Sequence, residues 1–109
     1  MPVISLNGDN FDDFTGSSVP VLVDFYAPWC GSCRTVAPIV ERLGNGEAGF
    51  DVAKVNIDEE AELARRFGVQ SIPTFAVFRG GELTDRHVGV MRERELIELV
   101  RGRSSGEFI

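Results

Sequence analysis

The sequence predicts an α/β fold, a mixed sheet of about five strands flanked by about four helices. Three observations predict it. Apolar, β-prone runs alternate along the chain with runs of helical period. Two of the apolar runs, 21–26 and 74–78, lack the polar alternation of a half-exposed strand and suit strands covered on both faces. At 109 residues and 43% hydrophobic content, the chain can bury one core and no more, so 1–109 reads as a single domain.

The elements follow in order. Residues 3–6 form a short strand, and the acidic start and paired Phe11 and Phe14 of 9–14 suit a short capped helix. Residues 21–26 are a central strand, apolar apart from Asp24. From about Ser32, Val36, Ile39, Val40 and Leu43 recur at helical spacing until Gly44 stops the pattern. Pro38 should bend that helix, because it cannot donate to the Arg34 carbonyl and its ring crowds the same oxygen. The next strand, 50–57, completes a right-handed crossover onto a parallel pair. Asp58, Glu59, Glu60 and Glu62 open a third helix, where carboxylates complement the positive end of the dipole rather than mark a cation site. Its apolar face is Ala61, Ala64 and Phe67, and Gly68 caps it. A turn ending at Pro73 leads into 74–78, Gly80-Gly81 marks a tight hairpin, and the returning strand covers roughly 83–90. Residues 92–101 form a last helix with Leu96, Ile97, Leu99 and Val100 on one face. The tail 103–109 has no readable role and is expected to be disordered.

Charge and composition exclude several functions. A net charge of -6 and a pI near 4.7, without clustered Lys and Arg, argue against nucleic acid or an anionic membrane as partner. The most apolar run, 19–23, ends at Asp24 and falls far short of the ~20 residues a bilayer span needs. The N-terminus lacks the basic and apolar regions of a signal peptide, so a cytoplasmic location is expected.

Two cysteines do not make a secreted disulfide scaffold, and their close spacing suggests chemistry instead. Trp29-Cys30-Gly31-Ser32-Cys33 sets two thiols three residues apart. If a helix begins between them, they lie one above the other within disulfide reach. Cys30 would then sit at the helix N-terminus, where unpaired N–H groups and the macrodipole favour an anion and lower the thiol pKa. A thiolate is the species that attacks disulfides. Cys33, one turn further in, should be less exposed and suited to resolving a mixed disulfide. Half a zinc site is the competing reading, but only His87 remains among the soft donors, short of a tetrahedral set. A buried, inert cysteine pair would leave the helix-start position and Trp29 without a reason.

Val23-Asp24-Phe25-Tyr26-Ala27-Pro28-Trp29-Cys30-Gly31-Ser32-Cys33, with Ala37-Pro38, Lys54-Val55-Asn56-Ile57-Asp58, Ile72-Pro73-Thr74 and Gly80-Gly81-Glu82, resembles the thioredoxin family over nearly the whole chain. The resemblance implies the thioredoxin fold and a protein disulfide reductase. It makes Cys30 the nucleophile, Cys33 the resolving thiol and Asp24 a buried proton acceptor. The last role also has a physical basis, since a carboxylate in an apolar strand loses solvation and its pKa rises. The alternative is an Asp24 satisfied by a hydrogen bond or by Lys54, which in either case would moderate the shift. Pro73 resembles the family's cis proline facing the cysteines, although as an isolated residue it reads as a turn proline. If it is cis, Ile72 offers backbone groups to an extended substrate, and Trp29, Ile72, Pro73, Val88 and Gly89 form an apolar docking patch.

The resemblance further implies no bound cofactor, only a redox-active Cys30 and Cys33 disulfide reduced by an external reductase. A flavin-dependent NADPH enzyme, a ferredoxin-linked enzyme or a glutathione system would each serve. Protein disulfide substrates and a monomeric chain are expected. Two alternatives stay open: an oxidant or isomerase, and a binding module that clamps a partner without turnover. The chain departs from the family at Tyr26, a frequent tryptophan, at Arg34, a frequent lysine, and at Ser32, usually proline. Ser32 is expected to free the turn, offer a donor to the Cys30 thiolate and make the protein a weaker reductant.

Overall fold

The computed structural model describes residues 2–46 and 49–102. The predicted apolar run becomes β2 (Val21–Tyr26), the middle strand of a sheet whose other members are β1 (Ile4–Ser5), β3 (Asp51–Asn56), β4 (Thr74–Arg79) and β5 (Glu82–Val88). Their order across the sheet is β1-β3-β2-β4-β5. β2 runs parallel to β3, with Asp24 opposite Lys54, and antiparallel to β4, with Asp24 opposite Phe75. The predicted crossover and the mixed sheet are both present.

Strand alternation then divides the core. Leu22 faces one side, packing with Val36, Val40, Leu96 and Leu99 from α2 (Gly31–Asn45) and α4 (Glu93–Arg101). Val23 and Phe25 face the other, where Phe11 of α1 (Phe11–Thr15) and Leu63 of α3 (Ala61–Arg66) cover them. Burying each such side chain contributes about 1.5–3 kcal/mol. Asp24 shares its parity with Leu22, so its carboxyl is directed toward α2, and this is how the sheet delivers a charge beneath the cysteine helix.

The boundaries depart from expectation at several places. The chain before α1 is capped by Asn7, whose Oδ1 accepts from the N–H groups of Asp9 and Asn10, while Asn10 Oδ1 accepts from the Asn7 N–H. The neighbouring acids do not cap it. α2 starts at Gly31 and does not stop at Gly44, running on to Asn45 with Pro38 inside it. Gly44 serves a close approach instead: a Cβ there would lie 2.5 Å from Cγ2 of Val3. The acids at 58–60 form a turn that leads into α3, and Leu63 replaces the exposed Ala61 on its buried face. At its end, Gly68 N–H donates to Arg65 O and Val69 N–H to Ala64 O, the paired bonds of a Schellman motif. Gly80 and Gly81, at φ 60 and 87°, close the β4–β5 hairpin. β5 ends at Val88, short of Val90, and α4 begins at Glu93. The tail 103–109 lies outside the described residues.

Candidate active site

Cys30 is the N-cap of α2, in extended backbone at φ -85 and ψ 118°, so its side chain meets the free N–H groups of the first helical turn. Its sulfur accepts a hydrogen bond from the Cys33 N–H at 3.2 Å and lies 3.5 Å from Ser32 Oγ. On its far side the thiol lies 3.9 Å from the Ile72 carbonyl, to which it donates. Burial opposes the thiolate. The hydrogen bonds from the Cys33 side chain, the Ser32 hydroxyl and the backbone N–H groups of both residues outweigh it, holding the Cys30 pKa below that of an ordinary thiol. Both cysteines are free thiols, and Cys33 is the more buried, as expected.

Cys33 has the opposite surroundings. Burial pushes its thiol up to about 12, helped by its hydrogen bond to Cys30 and by the negative charges of Cys30 and Asp24; the Ala27 N–H works the other way. Asp24, 4% exposed, is raised by burial to about 7, with the Lys54 ammonium pulling it down. Asp24 Oδ1 has no hydrogen-bond partner among the described residues. Lys54 pairs with Glu41 instead, at 3.7 Å, and lies 5.7 Å from the centre of the Tyr26 ring. A cavity of about 50 Å³, bordered by Asp24, Tyr26, Cys33, Ala37, Glu41 and Lys54, lies between the carboxyl and the surface.

Of the predicted patch residues, Ile72 meets the Cys30 thiol directly, through its carbonyl. The Ile72–Pro73 peptide is cis, Ile72 is half-buried and Pro73 buried, and the Pro73 carbonyl accepts from Gly89 N–H at 2.8 Å. This ties the Val88-Gly89 end of β5 to the loop facing the thiol. Trp29 is 66% exposed and Val88 51%. Gly31 has open space where a Cβ would stand, so packing does not demand glycine there.

Three participants escaped the sequence reading. Val90 is as exposed as Val88 and extends the apolar surface. Asp58 accepts from Trp29 Nε1–H at 2.9 Å and fixes the indole, though nothing in its local sequence marks that partner. Glu41 had a usable signal, since 33, 37 and 41 follow one another at four-residue spacing on one face of α2. Arg34 donates to the Pro28 carbonyl at 2.9 Å and braces the turn before Cys30.

An acidified thiol capping a helix, with a second thiol one turn below and a protonatable carboxyl beneath, defines a thiol–disulfide oxidoreductase. A family model described as Thioredoxin matches residues 2–102. Thioredoxin 1 of a Nostoc species is 48% identical over 81 residues, covering 73% of this chain and 76% of that protein. Thioredoxin of Staphylococcus saprophyticus is 40% identical over 101 residues, 92% of this chain and 96% of its own. The structure of a mutant thioredoxin from Halobacterium salinarum NRC-1 superimposes with a TM-score of 0.87 at 35% identity, over 95% of this chain and 92% of that one. The chain belongs to the thioredoxin family, and its activity is that of a thioredoxin-type disulfide reductase; thioredoxins work through a redox-active cysteine pair.

Proposed function

We propose that Cys30 opens the reaction, Cys33 completes it and Asp24 handles the proton between them. A target disulfide docks on Trp29, Ile72, Pro73, Val88 and Gly89, its backbone meeting that of Ile72. The Cys30 thiolate attacks one target sulfur, forming a mixed disulfide and releasing the other target sulfur as a thiolate, which takes up a proton. Cys33 then gives its proton to the Asp24 carboxylate and attacks the Cys30 sulfur. The mixed disulfide breaks, Cys30 and Cys33 become the oxidised pair, and the second target sulfur leaves as a thiolate. Two electrons have passed to the target, and an external reductase, in this reading a thioredoxin reductase, returns them to the pair.

The single observation that carries this reading is the Cys30 sulfur at the helix cap, receiving the Cys33 N–H at 3.2 Å with Ser32 Oγ at 3.5 Å. The Ser32 Oγ contact supports Ser32 as a residue that stabilises the reduced form and moderates reducing power. Lys54 acts on the Asp24 proton through its charge rather than by contact. Gly31 completes the turn between the thiols. The working unit is a monomer, with Trp29 left exposed for a protein partner. A cytoplasmic location accords with the resemblance to Staphylococcus thioredoxins, although relatives named as chloroplastic are equally similar.

Insulin reduction with dithiothreitol, together with mass spectrometry of the adducts, tests the assignment. Cys33→Ser should accumulate a covalent complex through Cys30. Absence of that complex from a folded variant overturns the roles given to the two cysteines.

A further inference from the structure

Asp24 sits in a register that places Lys54 directly across β2 and β3, yet their charges do not meet. Lys54 Nζ is instead 3.7 Å from Glu41 Oε2 on α2 and 5.7 Å from the Tyr26 ring centre. The side chains of Lys54 and Glu41 are 32% and 49% exposed, so their pair stands at the solvent side of the cavity that Asp24 borders from within. The charged and titratable groups around Asp24 are therefore Lys54 from β3, Cys33 and Glu41 from α2 and Tyr26 from its own strand, with uncharged Phe75 opposite on β4.

We propose that Glu41 is a positioning residue: with the Tyr26 ring it holds the Lys54 ammonium at the cavity mouth, off the Asp24 carboxyl, and so preserves a carboxyl that can both accept and release a proton. An exposed ion pair contributes little to stability, and this one need not. Its effect lies in where it leaves a long, mobile cation relative to a buried acid. In low dielectric an ammonium that moved inward would bind the carboxylate strongly and leave it a poor base. Loss of the Glu41 charge and inward movement of Lys54 act in the same direction, both favouring ionised Asp24. The inference rests on Asp24 being the proton acceptor for Cys33, and its test separates the two ideas.

The Asp24 carboxyl resonance of the reduced protein, followed by NMR against pH, reads the position of Lys54. Glu41→Gln should lower the Asp24 midpoint by about half a unit or more, whereas Glu41→Asp, which keeps the charge, should restore most of it. In a Lys54→Gln background the effect of Glu41→Gln should fall to less than half. An unmoved midpoint, or an equal shift with Lys54 gone, overturns the proposal. A second readout is the pH dependence with which Cys33 resolves a small-thiol mixed disulfide on Cys30. Its acid limb should move down by the same amount in Glu41→Gln. A midpoint that moves while the limb stays supports Glu41 as the holder of Lys54 and removes Asp24 from the proton transfer.

Discussion

The two thiols of α2 differ by one helical turn and hardly at all in burial, 7% and 3% exposed, yet burial prevails at Cys33 and is overcome at Cys30. Exposure therefore does not decide which is the nucleophile. At the mouth of the helix, free N–H groups and the Ser32 hydroxyl converge on one sulfur. One turn deeper, the N–H groups are committed to the helix, and the nearest ionisable partners, Cys30 and Asp24, are acids. The polypeptide thus makes an anion favourable at one position and unfavourable at the next by the supply of donors.

Removing the reacting atom at the mouth is the largest perturbation. Cys30→Ser should abolish insulin reduction, a loss of about 10³-fold or more, while near-native circular dichroism shows the fold intact. In the interior, Asp24→Asn should slow resolution of the mixed disulfide by about 10²-fold and also stabilise the protein. Folded Asp24 keeps its proton up to about 7, against 3.8 in the unfolded chain. The folded state thus binds more protons between these values, and stability falls as pH rises through the window, by roughly 4 kcal/mol. Chemical denaturation at about pH 8 should find Asp24→Asn more stable than wild type, with the gap closing toward about pH 4.

Smaller effects sharpen the account of the mouth. Ser32→Pro removes both an N–H and a hydroxyl from the surroundings of Cys30, worth about 1 kcal/mol together, so equilibration with glutathione should give a potential more negative by about 20–30 mV. An unchanged or less negative value would show that Ser32 does not set the potential. Trp29→Ala should raise KM for a protein disulfide by about fivefold and leave small disulfides nearly untouched if the exposed indole serves as a docking surface for protein.

How far the sequence foretold this follows from the range of the interactions. The central strand, the helix start at the cysteines and the buried Asp24 were legible because each rests on residues adjacent in the chain. The cis state of Ile72–Pro73 was legible only through family resemblance, since the local sequence reads as an ordinary turn. Gly44 looked like a helix stop because its close approach to Val3 is made across the fold. The face of α3 was misjudged at Ala61 because Leu63 finds a deeper site against the Phe25 side of the sheet. Lys54 was expected to act on Asp24, and does so through charge; its contact with Glu41 joins a strand and a helix and leaves little trace in either segment.

Titration of the two thiols in the reduced protein, by thiolate absorbance together with the pH dependence of alkylation at each cysteine, bears most directly on the contrast. Cys30 should ionise below the range of a free peptide thiol, and Cys33 should stay protonated until the solution approaches about 12. Two thiols ionising together at the ordinary cysteine value would contradict it.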